Sequence, residues 1–173
     1  MRRDEALEHN ALITPAALEQ LHRDAFLWTL SCVRGARAEA EDVLQQTYVA
    51  ILDGSARFDG SASLRSFLFS VVRRVAASRR RRALRFADLV AQWFDREEPL
   101  AAASSFDAAE SVRRALRRLP ARQREALELV FYRECTIAEA ACVMGVALGT
   151  ARQHYERAKR ALALELPREL IDD

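Results

Sequence analysis

The stretch TIAEAACVMGVALGTARQHYERAKRAL, residues 136–162, predicts two helices separated by a glycine turn. Thr136 and Glu139 have the spacing of a capping box, which starts the first helix. A small residue at Ala141 allows the two helices to cross closely, and Gly145 accepts a backbone conformation that a Cβ resists. This spacing is typical of a helix-turn-helix.

The second of these helices is predicted to present a polar face to a large anionic partner. Val146, Leu148 and Ala151 are expected to pack inward. The residues expected outward, in varying degrees, are Arg152, Gln153, His154, Tyr155, Glu156 and Lys159. DNA is such a partner: in its major groove, Gln and Arg can hydrogen-bond base edges, while Arg and Lys neutralise phosphate. The alternative from this pattern alone is a solvated basic helix in an ordinary bundle.

Composition favours a helical protein without a cofactor or a metal. The chain has 173 residues, 50% of them apolar, and a net charge of only +2, with Lys159 as its single lysine. No apolar run approaches the roughly 20 residues that span a bilayer, so a cytoplasmic protein without membrane insertion is expected.

The sequence contains no phosphate-binding glycine loop, no metal-ligand spacing and no nucleophile with an evident base. Enzyme activity is therefore not expected, and the three cysteines, Cys32, Cys135 and Cys142, are predicted to be small buried residues.

The front half of the chain has the periodicity of three helices. Thr14 and Pro15 start the first, which is predicted to end near Arg34. The second has a buried stripe at Ala40, Val43, Leu44, Thr47, Tyr48, Ile51 and Leu52. Its opposite face carries Glu41, Asp42, Gln45 and Gln46. A loop rich in Gly, Asp and Ser then leads to the third helix.

The third helix, from Leu64, repeats apolar residues at spacings of three and four. The residues predicted outward are Arg65, Phe69, Arg73, Arg74 and Arg80. An outward Phe69 beside arginines is a platform on which an unstacked base can lie. Burial of Phe69 beneath a neighbouring loop is the alternative, and the sequence leaves both open.

The charge reverses after this helix, where residues 87–106 are acidic and predict a linker. Asp107 and Glu110 have capping-box spacing and start a second domain. Its first helix is predicted to end at Leu119, and Pro120 opens another whose apolar side is Leu127, Val130 and Phe131. The sequence thus predicts an all-α protein with domains at 1–86 and 107–173, joined by a flexible acidic linker.

Two segments resemble the extracytoplasmic-function sigma factors of bacterial RNA polymerase. The stretch LPARQREALELVFYRECTIAEAACVMGVALGTARQHYERAKRAL is similar to region 4 of that family. AEAEDVLQQTYVAIL and SLRSFLFSVVRRVAASRRRR are similar to region 2. The resemblance implies a factor that binds core RNA polymerase, directs initiation at specific promoters and is controlled by an anti-sigma protein.

The resemblance also assigns site residues. Asp42, Gln45 and Gln46 are expected to bind the clamp helices of the largest polymerase subunit, and the flap is a second expected polymerase contact. The minus-ten promoter element is expected to contact Arg57, Phe58, Ser63, Arg65, Phe69, Arg73, Arg74 and Arg80. The minus-thirty-five element is expected to contact Thr150, Arg152, Gln153, His154, Tyr155, Arg157 and Lys159. The acidic linker is expected to follow the polymerase cleft towards the RNA exit path.

Departures from the family pattern limit what carries over. Phe67, Arg74 and Ser78 stand where the family usually has Trp, Asn and Asp, and Ala147 replaces a common Ser cap. No promoter sequence is therefore inferred. A free-standing DNA-binding regulator that uses only the helix-turn-helix is the alternative function, and it predicts tight duplex binding without polymerase.

Overall fold

The protein is described by a computed structural model that gives the backbone of residues 13–91 and 114–165, with side chains for 13–85 and 114–165. Within these ranges every regular element is helical, which confirms the all-α prediction. The chain divides into two compact units, with the boundary between Trp93 and Phe94. The predicted capping box at Asp107 and Glu110, and most of the predicted linker, lie outside the described residues.

The first unit begins with two short consecutive helices, α1 at Pro15–Gln20 and α2 at His22–Cys32. Thr14 caps α1 as predicted, because its hydroxyl accepts a hydrogen bond of 3.1 Å from the Ala17 N–H. A single helix to Arg34 was expected, but the chain turns at Leu21 and leaves the helix after Cys32. Positive φ angles at Arg34 (58°) and Gly35 (86°) then reverse the chain.

Two longer helices complete the first unit, α3 at Arg37–Leu52 and α4 at Leu64–Ala91. The α4 backbone extends beyond residue 86, where the linker was predicted to follow, because FADLVA at 86–91 has no glycine or proline to stop a helix. The core of this unit contains Ala25, Trp28, Val43, Leu44, Ile51, Leu68, Val71 and Val72. It comes from three helices, α2, α3 and α4, that pack against one another.

Two side chains of the first unit lie on the opposite side from the predicted one. Phe69 is fully buried, not outward, because both α2 and α3 pack on α4 and widen its buried arc. The indole Nε1 of Trp28 donates a 3.0 Å hydrogen bond to the Phe69 carbonyl, and the two rings stack. Leu52 was predicted in the buried stripe but is 63% exposed. At about 100° per residue it lies opposite Val43 on α3.

The second unit contains helical residues 114–118, then α5 at Ala121–Leu127, a π-helical turn at Glu128–Tyr132, α6 at Ile137–Met144 and α7 at Leu148–Glu165. Part of its core is formed by Leu119, Leu127 and Ala158, with Leu116, Tyr155, Ala161 and Leu162 packed around them. The capping box is confirmed at α6, where the Thr136 hydroxyl accepts from the Glu139 N–H and the Glu139 carboxylate accepts from the Thr136 N–H.

The π-helical turn overturns one predicted core position. Phe131 was expected on the apolar side with Leu127, but it is 67% exposed and makes an edge-on contact with Tyr132, also exposed. The turn uses wider hydrogen bonds, such as Arg133 N–H to the Glu128 carbonyl at 3.0 Å, so residues after Leu127 leave the α-helical register. Leu129 is buried in this segment instead.

The three cysteines differ in burial. Cys135 is buried as predicted. Cys142 was also predicted to be buried but is exposed, because it lies on the solvent-facing side of the short helix α6. Cys32 is half-buried. Among the described residues, no helix combines the length and apolarity that a bilayer crossing requires.

Candidate nucleic-acid interface

The turn between α6 and α7 has the geometry of a helix-turn-helix. Gly145 adopts the left-handed conformation at φ 64°, and the Val146 N–H donates to the Ala141 carbonyl at 3.1 Å. A Cβ at Gly145 would meet no atom within 4 Å, so this site needs glycine for its backbone angle and not for space. Ala141 (5% exposed) and Ala151 (1%) are buried and allow the close helix crossing that the sequence predicts.

The second helix of this pair, α7, is held by small residues on one narrow side. Among its described residues, Ala151 and Ala158 are fully buried, and Tyr155 and His154 are partly buried beside them. Leu148, which was expected to pack inward, is 48% exposed because it lies in the first turn of α7. A narrow packing side leaves most of the helix circumference available to a partner.

The exposed side of α7 is polar and mainly cationic. The predicted contact residues that are exposed are Thr150, Arg152, Gln153, Arg157 and Lys159. The Lys159 ammonium lies 5.4 Å from the centre of the Tyr155 ring and 3.8 Å from the Glu156 carboxylate. Arg160, which the prediction omitted, is also exposed. Such a surface can donate hydrogen bonds to base edges and to phosphates.

His154 and Tyr155 are less available than the prediction supposed. The Nδ1 atom of His154 is buried and has no hydrogen-bond partner among the described residues. Tyr155 packs on the core formed by Leu119, Leu127 and Ala158. These two side chains therefore support the position of α7, and only their outer atoms can reach a partner.

The α4 helix of the first unit also carries a basic surface. Arg74 and Arg80 are exposed as predicted, and Arg73 is half-exposed. Arg81, Arg82 and Arg85, which were not singled out, are exposed as well. The run of four arginines at 79–82 was the available signal for Arg81 and Arg82.

Arg65 has a structural environment that the sequence did not indicate. Its Nε lies 3.3 Å from the Asp24 carboxylate of α2, and its guanidinium lies 5.0 Å from the centre of the buried Phe69 ring. Phe69 is therefore not a base platform beside the arginines, and a buried ring, the alternative that the sequence left open, is what the structure shows. The ring is covered by protein, and the guanidinium joins α4 to α2.

The loop before α4 places its predicted contact residues unequally. Arg57 is exposed, whereas Phe58 is 6% exposed and packs on Phe67 with ring centres 5.1 Å apart. The prediction that Phe58 contacts DNA is therefore wrong for this conformation, because an aromatic ring gains more from this core than from solvent. Ser63 is exposed, and its hydroxyl accepts a 3.2 Å hydrogen bond from the Ser66 N–H at the start of α4.

A further exposed face, with little positive charge, lies on α3. Asp42, Gln45 and Gln46 are all exposed, and the Asp42 carboxylate accepts a 3.2 Å hydrogen bond from Arg79 of α4. Val49 (56% exposed) and Leu52 (63%) continue this face with apolar surface. Their spacing from Gln45, at four and seven residues, is the sequence signal that could have identified them.

A cleft between α2 and α3 adjoins this face. His22, Phe26, Arg37, Glu41, Leu44, Gln45 and Tyr48 line it. The His22 Nδ1 and the Tyr48 hydroxyl are 3.0 Å apart, and burial raises the pKa of Tyr48. Across the two described ranges, no group of three or more His, Cys, Asp or Glu residues is arranged to hold a metal ion.

Comparisons with known families cover both units. The family model for sigma-70 region 2 matches residues 19–86, which include α2, α3 and most of α4. The model for sigma-70 region 4 matches residues 109–162, which include the helix-turn-helix. Together these matches cover more than half of the chain.

Individual relatives agree with the family matches. The ECF RNA polymerase sigma factor SigM of Mycobacterium tuberculosis is 33% identical over 144 residues, covering 83% of this chain and 70% of that protein. EcfG of Rhodopseudomonas palustris is 32% identical over 143 residues, covering 80% and 76%. The solved structure of sigma factor RpoE with the anti-sigma factor NepR, from Bartonella quintana, matches with a TM-score of 0.66 at 25% identity, over 87% of this chain and 94% of that one. The chain therefore belongs to the ECF sigma factors of RNA polymerase, which are transcription initiation factors and not enzymes.

Proposed function

We propose that this sigma factor uses the exposed surfaces described above for different partners. The α3 face, with Asp42, Gln45 and Gln46, binds the clamp helices of the polymerase, and the α7 face reads duplex promoter DNA. The observation that carries the second assignment is the packing of α7. Because its fully buried residues, Ala151 and Ala158, lie on one narrow side, Arg152 and Gln153 remain exposed.

The minus-thirty-five contacts are assigned by side-chain chemistry. Gln153 can form paired hydrogen bonds with an adenine edge, which carries sequence information. Arg152, Arg157 and Lys159 supply positive charge, and Thr150 supplies a hydroxyl near the start of α7. His154 and Tyr155 contribute less, because their side chains are partly used in packing.

The proposed contacts with the minus-ten element are limited to those predicted residues whose side chains are accessible in the structure. Arg57, Ser63, Arg74 and Arg80 are exposed, and Arg73 is half-exposed on the same helix as Arg74. An arginine-rich surface binds the phosphates of an opened strand, and arginine can also stack on unpaired bases. The acidic linker at 87–106, with its expected path along the polymerase cleft, and the flap contact stay predictions.

An anti-sigma protein is the regulatory partner that we infer. The RpoE structure to which this chain is similar is a complex with an anti-sigma factor. Exposed apolar side chains, Val49 and Leu52 on α3 and Phe131 and Tyr132 in the second unit, offer surface that such a protein could cover. Copurification of the chain with a protein that blocks its binding to core polymerase tests this inference.

Transcription reconstituted from purified parts tests the main proposal. Core polymerase loaded with this chain is expected to start transcription from a defined subset of a promoter library. A gel shift without polymerase separates the free-standing regulator, which would bind duplex DNA tightly by itself. If polymerase with the chain starts no transcript from any library member, the proposal fails.

Two substitutions test the reading helix. Gln153→Ala is expected to relax selection at one base pair of the promoter, with a loss of about 1–3 kcal/mol of discrimination between bases. Arg152→Ala is expected to weaken binding to all promoters. It is also expected to reduce the salt slope, the slope of log affinity against log salt concentration, by about 1. Arg114→Ala is the matched control, because Arg114 is exposed in the same unit and lies outside α7. Unchanged selectivity in both α7 variants would move the reading surface elsewhere.

A further inference from the structure

Arg79 differs from the three arginines that follow it. Arg80, Arg81 and Arg82 are exposed, whereas the Arg79 side chain is only 30% exposed. Successive residues of a helix are about 100° apart, so Arg79 lies on a different side of α4 from its neighbours. That side faces α3, where the Arg79 Nη2 donates a 3.2 Å hydrogen bond to the Asp42 Oδ2.

We propose that Arg79 is a positioning residue for polymerase binding, acting through Asp42. Its guanidinium holds the carboxylate in one orientation on the α3 face. The Asp42 side chain is still 60% exposed, so it can contact a partner while Arg79 is bound to Oδ2. This inference rests on the proposed role of Asp42 in docking.

The two helices that carry this pair are packed against each other. Val43 of α3 and Val72 of α4 are both fully buried. The ion pair therefore links two helices that already share the core of the first unit. An orientation fixed before binding reduces the side-chain entropy that association would otherwise cost.

The DNA surface and the polymerase surface are joined by this pair. Arg74 and Arg80 of α4 are proposed to contact DNA, and Arg79 of the same helix contacts the docking face of α3. Arg79 is thus assigned to polymerase binding and not to the DNA-binding set.

Binding of the full chain to core polymerase, without DNA, tests the proposal. Arg79→Gln is expected to weaken binding by about two- to fivefold, the range of an exposed ion pair. Arg79→Lys, which keeps the charge, is expected to recover part of that loss. Arg79→Gln in an Asp42→Asn background is expected to have no further effect, because the group it positions is gone.

Arg81→Gln is the matched control. It removes the same charge two residues further along α4, about 200° round the helix from Arg79, at an exposed residue outside the proposed contact set, and is expected to leave polymerase affinity unchanged. If Arg79→Gln leaves binding unchanged or strengthens it while Asp42→Asn weakens it, Arg79 does not position Asp42, although the docking assignment survives. An equal loss from Arg79→Gln with and without Asp42→Asn would show a general structural effect and overturn the inference. If Asp42→Asn itself changes nothing, the docking role of Asp42 is wrong.

Discussion

The two basic helices, α4 in the first unit and α7 in the second, are packed in different ways. Two other helices, α2 and α3, pack on α4, and its buried residues include Phe67, Leu68, Phe69, Val71 and Val72. These span roughly 200° of the helix circumference at 100° per residue. The α7 helix is held mainly through alanines, with a much narrower buried side.

This difference determines how much of each helix can bind a partner. On α4 the charged residues nearest the core, Arg65 and Arg79, form ion pairs with neighbouring helices. The cations of α7 make no comparable contact with another helix among the described residues. A helix held by small residues therefore presents more of its polar side chains than one held by large residues.

The largest expected change in stability follows from removing a large side chain from the wide buried face of α4. Phe69→Ala is expected to destabilise the first unit by about 3–5 kcal/mol, because it removes a buried ring against Trp28. Hydrogen exchange resolved by segment in the full chain measures this for each unit separately. Phe131→Ala removes an exposed ring and is expected to change stability by less than about 0.5 kcal/mol. If Phe69→Ala left stability intact but impaired promoter opening, the ring would act on DNA after all.

The next effect tests the narrow packing face of α7. Ala158→Leu is expected to destabilise the second unit by about 1–3 kcal/mol, because no space exists for three more carbons at a residue with 0% exposure. Ala163→Leu is the control on the exposed side of the same helix. Segment-resolved hydrogen exchange again gives the difference. Equal tolerance of leucine at both sites would mean that α7 is not held by close contact.

A third prediction compares two glycines near the start of α7. Gly145→Ala is expected to destabilise the second unit by about 1–2 kcal/mol, because alanine resists the left-handed conformation at φ 64°. Gly149 lies within α7 and a Cβ there meets no atom within 4 Å, so Gly149→Ala is expected to stabilise by up to about 1 kcal/mol. Thermal unfolding of the two variants measures both signs. The turn assignment would be contradicted by a stable Gly145→Ala variant.

The smallest expected effect distinguishes an arginine of α4 that pairs with a neighbouring helix from one that is proposed to bind DNA. Arg65→Gln is expected to destabilise the first unit by about 0.2–1 kcal/mol through its pair with Asp24, with the salt slope of promoter binding unchanged. Arg74→Gln is expected to leave stability unchanged and to lower that slope by about 1. Both are measured on the polymerase complex, with stability from hydrogen exchange. The reverse assignment of the two effects would contradict this division of α4.

Periodicity and local chemistry alone predicted the helical class, the Thr14 cap, the capping box of α6, the left-handed Gly145 and the polar face of α7. Each of these depends on residues within one or two turns of helix, and the sequence contains all of that information. Resemblance on the same segments indicated the ECF sigma factor family.

Tertiary structure alone decided which side of each longer helix is buried. Phe69 is covered because two helices meet α4, Leu52 is exposed because it lies opposite the α3 core, and Phe131 is exposed because a π-helical turn breaks the register. The pairing of Asp42 with Arg79 joins residues 37 positions apart. A repeat of 3.6 residues shows which side chains share a face, but the number and direction of the neighbouring helices set how wide the buried face is.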